Sequence, residues 1–337
     1  MAFPQQRKTS IYRLFGYILL PVFEWSHAMK LGLWLLFLLI SLPLQALPHV
    51  SAGTIQRLEN FPSILIPART VDIWLPDGFP SAQKYAVLYM HDGQMLFDGA
   101  TTWNKQEWRV DEVAQQLIST GKVRPFIVVA VHNHPANRHA EYFPQAPFLS
   151  LPPEKQQALY QLERQPGQKL FQQPVYSDRY LQFLVTELKP YIDANFPVHA
   201  DPANTFVMGS SMGGLISMYA LSQYPEVFGG AACLSTHWPG SFSVEDNPVP
   251  LAFLSFMRQH LPPAAQHKLY FDYGDQTLDA LYPPLQKQVD QLMRQLKYPE
   301  HLWQTQFFPG ADHSEVAWAQ RLHMPLQFLL APKSADQ

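Results

Sequence analysis

Hydrophobic residues fall in short, nearly continuous runs separated by amphipathic stretches. TVDIWL (70–75), YAVLYMH (85–91), FIVVAVH (126–132), TFVMGS (205–210), AACLS (231–235), KLYFDYG (268–274) and WQTQFF (303–308) are rich in β-branched and aromatic residues and read as strands. The central runs are apolar almost throughout, as strands covered on both faces require. Between them, residues 108–120, 178–195, 213–223, 283–297 and 315–330 carry apolar positions at helical spacing. This alternation predicts an α/β fold, with a mostly parallel central sheet and helices on both faces. The first run is expected to pair antiparallel through the turn at Pro76-Asp77-Gly78.

Three stretches break the rhythm. Residues 133–176 are dense in Pro, Gln and His and show no clear period, so a long, lid-like insertion is expected after the strand at 126–132. A smaller insertion is expected at 236–250, which holds Trp238 and three prolines. At the other end of the chain, Met29-Lys30 precedes the apolar run LGLWLLFLLI (31–40), then Ser41, Pro43 and Ala46. That order is the one found in a secretory signal peptide, and the run is short of the roughly 20 residues of a membrane span. Residues 1–46 are therefore expected to be an extension followed by a signal at about 29–46. Residues 47–337 would then form one domain, periplasmic or secreted, with no stable membrane span after processing.

Composition narrows the function. With 47% hydrophobic residues, the 337-residue chain can bury a large core and is not disordered. Its one cysteine, Cys233, excludes a disulfide framework and a cysteine-rich metal site. Lys and Arg number 24 against 27 Asp and Glu, and no basic run follows Arg13, so the electrostatic footprint of a nucleic-acid binder is missing. His132-Asn133-His134 offers two metal ligands at most, and neither a phosphate loop nor a dinucleotide fingerprint occurs. No metal and no cofactor are expected.

The chemistry concentrates in GSSMGG (209–214), a G-x-S-x-G motif centred on Ser211. It follows a strand and opens a helix, the setting in which a sharp turn lifts a serine hydroxyl above the sheet. Gly209 and Gly213 are expected where a Cβ would collide with that turn. A serine needs a base to take its proton. His313, in FPGADHSE between the last strand and the last helix, is the best-placed histidine after Ser211. The orienting acid should follow KLYFDYG; Asp275 and Asp279 are both available, with Asp272 inside the strand, and position alone does not separate them. The oxyanion of acyl transfer needs two backbone donors, expected from Met212 and from Gln94 in HDGQ (91–94), where Gly93 permits close approach. His237, Trp238 and Arg138 are candidate substrate contacts, and Trp103, Trp238 and Tyr142 suggest an aromatic-lined cleft. For Arg138 with Glu141 a structural alternative exists, an ion pair fixing the insertion.

Taken in order, YMHDGQMLFD, NRHAEYFP, SDRYLQFLVTELKPYID, the nucleophile segment with ACLSTHWPG, YFDYGDQTLDALY and GADHSEVAWAQRL resemble the esterase D-like family of α/β-hydrolases, over about residues 60–330. That family includes feruloyl and acetylxylan esterases, enterobactin-type siderophore esterases, S-formylglutathione hydrolase and mycolyltransferases. The resemblance implies an α/β-hydrolase fold with Ser211 as nucleophile, His313 as base, and Gln94 with Met212 as oxyanion hole. It also implies Asp279 as the acid, because similar members carry aspartate there and often threonine at the position of Asp275. Met95 departs from the usual HDGQN. The implied activity is hydrolysis of a carbohydrate, phenolic or siderophore ester. Transfer to a sugar hydroxyl by the same residues, or an inactive hydrolase fold used for binding, are the alternatives.

Overall fold

The computed structural model describes residues 47–332, so the expected extension and signal lie outside the described residues. In chain order the elements are β1 (Thr54–Phe61), β2 (Arg69–Leu75), β3 (Ala86–His91), α1 (Val110–Ser119) and β4 (Phe126–Val131). Next come α2 (Arg138–Tyr142), α3 (Gln145–Leu149), α4 (Pro153–Gln161), a hairpin of β5 (Glu163–Gln165) and β6 (Gln168–Lys169), α5 (Ser177–Phe183) and α6 (Lys189–Asn195). The rest are β7 (Thr205–Ser210), α7 (Met212–Gln223), β8 (Gly230–Leu234), α8 (Val249–His260), β9 (Lys268–Tyr273), α9 (Pro283–Gln295), β10 (Trp303–Phe307), α10 (Glu315–Arg321) and α11 (His323–Leu330).

The main sheet runs β1-β2-β4-β3-β7-β8-β9-β10. Every pairing from β4 to β10 is parallel, while β2 is antiparallel to both β1 and β4. The Pro76-Asp77-Gly78 turn therefore does not close a hairpin onto β3. It starts a crossover, because β3 takes parallel neighbours on both sides. β1 escapes a hydrophobic-pattern reading for a physical reason: it is an edge strand, exposed or half-buried at every position and rich in polar residues.

Side chains alternate across the sheet and feed two cores. On β3, Val87 and Tyr89 join the α7, α8 and α9 side through Leu215, Phe253 and Val289. Leu88 and Met90 join the α1 and α11 side through Leu117 and Leu326. The helices thus cover both faces, and the parallel strands deliver their carboxyl ends to one rim.

The segment expected as an aperiodic insertion is structured. Its helices α2, α3 and α4 have five to nine residues, too few to display a period. Phe143, Phe148 and Phe171 pack within it. Glu141 pairs with Arg69 of β2 at 2.6 Å, both buried, and accepts from Tyr176 at 3.1 Å, so the segment is tied to the sheet. The final helical stretch is two helices rather than one, meeting at Leu322, and α8 was not foreseen. Among the described residues no helix is long and apolar enough to cross a membrane.

Candidate active site

β7 ends at Ser210 and α7 begins at Met212, leaving Ser211 alone to turn the chain. Its backbone sits at φ 58°, ψ −119°, a region costly for any residue with a Cβ. Hydrogen bonds hold it there. Ser211 N donates to Leu234 O at 2.9 Å, and Ser211 O accepts from Gly214, Leu215 and His237 amides at 3.1–3.2 Å. A Cβ at Gly209 would lie 2.8 Å from the Gly213 backbone, which makes glycine obligatory. Gly213 is a milder case than expected: its Cβ would meet only the Asp92 carboxylate at 3.3 Å and His91 Cβ at 3.4 Å. That closeness puts the turn after β3 directly against the serine elbow.

The same turn needs its own glycine. A Cβ at Gly93 would fall 2.5 Å from the Ala130 carbonyl carbon. Asp92 precedes it at φ 58°, and its carboxylate accepts Arg138 Nε and Nη2 at 2.7 and 2.6 Å and Asn133 Nδ2 at 2.6 Å. Burial would raise this carboxyl, but the Arg138 guanidinium beside it holds it below the usual carboxylate range. Gln94 lies within the 3₁₀ turn Gly93–Met95, its side chain accepting from Asn133 N at 3.2 Å. Arg138 is thus an ion-pair partner, though of Asp92 and not of Glu141. It locks the insertion to the turn that carries Gln94.

His313 stands in the loop between β10 and α10, its Nδ1 2.6 Å from Asp279 Oδ1. Asp279 is fully buried in the 3₁₀ turn Thr277–Leu281 that follows β9, and its Oδ2 accepts from Ser235 Oγ at 2.6 Å and Gly274 N at 2.7 Å. The His313 amide donates to Thr277 Oγ1 at 2.9 Å, and its ring packs edge-on against Trp318 and Tyr282. Asp275, the other candidate, accepts from Gly310 N and Gln276 Nε2 and braces the loop instead. Asp272 pairs with Arg321 at 2.9 Å beneath the site.

Tyr282 connects the two halves. Its hydroxyl lies 2.9 Å from Nδ1 of His237, whose amide donates to Ser211 O, while its ring centroid is 5.9 Å from that of His313. His237 accordingly belongs to the site. Trp238 does not line it: the ring is 2% exposed, packs on Phe271, and donates to Gln286 Oε1 at 2.8 Å. Tyr142 is buried under His91, and Trp103 is 83% exposed, so the expected aromatic lining is not built from these residues. Tyr282, Ser235 and Arg321 went unnoticed in the sequence. Their only signal was proximity to Asp279, to the end of a strand and to His313.

Three histidines around the site are kept neutral by burial. Desolvation pushes His91 and His139 down to about 3, and His237 well below its ordinary value. Because these folded values lie below the unfolded 6.5, the unfolded chain binds more protons below about pH 6.5, down to about pH 3 for His91 and His139. Stability is therefore full above pH 6.5 and is lost as the pH falls, by about 1.4 kcal/mol per pH unit for each histidine. Urea unfolding between pH 7 and 5 is expected to show this slope; a flat profile would contradict the neutral assignment.

Residues 67–329 match the family described as "Putative esterase". The chain belongs to this esterase family. Among curated proteins it is similar to an endo-1,4-beta-xylanase/feruloyl esterase of Xylanibacter ruminicola, 25% identical over 191 residues, which cover 55% of this chain and 22% of that protein. The chain thus spans well under two thirds of that relative. A solved ferulic acid esterase superposes with a TM-score of 0.58 at 18% identity, covering 84% of this chain and 99% of the other. The enterobactin esterase FES from Shigella flexneri gives 0.57 at 17% identity, covering 84% and 60%. At such identities the likeness is one of fold, that of an α/β-hydrolase. Esterase-family membership and the buried Ser–His–Asp cluster together support serine-hydrolase activity.

Proposed function

We propose that the protein is an exported serine carboxylesterase acting on a carbohydrate, phenolic or siderophore ester, with Ser211, His313 and Asp279 as its catalytic triad. The observation that carries this reading is the 2.6 Å contact of His313 Nδ1 with Asp279 Oδ1, in the loops beside the serine elbow. Asp279 fixes the proton on Nδ1 and leaves Nε2 free to act as base. Ser211 Oγ attacks the ester carbonyl as its proton passes to His313 Nε2, which then delivers it to the departing alkoxide. Water, activated by the same imidazole, hydrolyses the acyl-enzyme and regenerates Ser211.

The oxyanion is held by the Met212 amide at the start of α7, where first-turn N–H groups have no intrahelical partner, and by the Gln94 amide. Each such donor is worth about 3–4 kcal/mol of barrier. The Asp92–Arg138 pair supports this hole by pinning the turn before Gln94. The substrate classes are suggested by the ferulic acid and enterobactin esterases that share the fold. Export, with residues 29–46 as signal and 47–337 as the single mature domain, rests on the amino-terminal pattern.

A panel of acetylated xylan, a feruloyl sugar, a trilactone siderophore and nitrophenyl esters tests the proposal. Free acid released from at least one natural ester at a rate well above that on nitrophenyl acetate is the expected result. Acyl transfer to an added sugar in excess of free acid would overturn the hydrolytic assignment.

A further inference from the structure

The neighbours of Ser235 leave its hydroxyl a single orientation. Trp318 Nε1 and Arg321 Nη2 each lie 2.9 Å from Ser235 Oγ. Indole and guanidinium nitrogens are donors only, so both lone pairs of the oxygen are taken. The one hydroxyl proton is then directed at Asp279 Oδ2, 2.6 Å away. The backbone is equally constrained: Ser235 sits at φ 41° just after β8, its amide donating to Asp272 O at 2.8 Å. Arg321 Nη2 also reaches Asp272 Oδ1 at 2.9 Å, so that Asp272 offsets its charge and fixes its place. Trp318 and Arg321 are three residues apart on α10 and so share one face of it. Trp318 also packs edge-on against the His313 ring, 5.0 Å between centroids.

We propose that Ser235 is a positioning residue for the acid of the triad: held by Trp318 and Arg321, its hydroxyl donates to Asp279 Oδ2 and keeps Oδ1 aimed at His313 Nδ1. This rests on the Ser211–His313–Asp279 reading. With Ser235 and Gly274 both donating to Oδ2, the carboxylate cannot rotate about its axis without losing two hydrogen bonds. The charged and titratable groups facing it are His313 in front, Tyr282 just beyond its own turn and, across Ser235, the Arg321–Asp272 pair. α10 thereby supports both members of the acid–base pair at once, the ring through Trp318 and the carboxylate through Ser235.

The test compares Ser235→Ala with Ser235→Gly, since glycine loses the hydroxyl yet accepts the positive φ. Rates are taken per site titrated with a phosphonate, so that any unfolded fraction drops out. Both variants are expected to lose about 10- to 100-fold in kcat, the range of a hydrogen bond to a charged group, with KM nearly unchanged. The acidic limb of the kcat/KM–pH profile should move to higher pH, because a carboxylate relieved of one donor binds the imidazolium more strongly. Wild-type turnover in Ser235→Gly, or a loss with the limb unmoved, overturns the proposal. Asp279→Asn separates the levels. If it is crippled while Ser235→Gly is not, only the role of Ser235 falls; if Asp279→Asn is itself nearly as active as the wild type, the triad reading falls too.

Discussion

Ser211→Ala should lower kcat by about 10⁶-fold while leaving the protein folded. The size follows from the chemistry. Without Oγ no acyl-enzyme forms, and the base and oxyanion donors can act only on water, which leaves a residual rate about 10³–10⁴ above the uncatalysed one. Stability should be nearly unchanged, because alanine keeps both the strained φ of 58° and the amide bond to Leu234 O. Ser211→Gly offers a contrast. It should be equally inactive but unfold at a higher temperature, since glycine occupies that backbone region without strain. Turnover numbers and thermal melts of the two variants check both statements. Activity retained in either variant would mean that Ser211 is not the nucleophile, and an unchanged melt in Ser211→Gly would mean that the elbow stores no strain.

Asp279→Asn should cost about 10⁴-fold in kcat. The reason lies behind the carboxylate. Ser235 Oγ and Gly274 N both donate to Oδ2, so an asparagine must place its carbonyl oxygen there and turn its amide nitrogen toward His313. The amide then donates to Nδ1, which must become an acceptor, and the imidazole proton moves to Nε2. That tautomer cannot take the proton of Ser211. Asp275→Asn should stay within a few-fold of the wild type, because Asp275 binds Gly310 N and Gln276 and has no part in the pair. The reverse ranking of the two variants would reassign the acid.

Much of this could be read from the chain. The parallel strands were legible because burial on both faces leaves continuous apolar runs, and the elbow because only glycine fits at 209. β1 was not, since an edge strand needs no hydrophobic pattern. α2, α3 and α4 were missed because five to nine residues hold too few turns to show periodicity. At the site, the G-x-S-x-G motif brought out Ser211, and loop position with chain order brought out His313, but the choice between Asp275 and Asp279 depends on which of two residues four apart turns inward, and spacing does not encode that. Trp238 misled for a similar reason. A tryptophan in a loop after a strand reads as a substrate contact in a cleft, whereas its indole N–H has a buried partner in Gln286, 48 positions away. Tyr282 and Ser235 are ordinary residues by type, and only three-dimensional neighbours give them meaning.

Reaction of the folded protein with a fluorophosphonate, followed by peptide mass spectrometry, addresses the central claim most directly. One adduct per chain is expected, on the peptide that carries Ser211, absent from Ser211→Ala and formed far more slowly in His313→Ala. A folded protein that takes up no phosphonate, or takes it up elsewhere while Ser211 stays unmodified, would contradict the account.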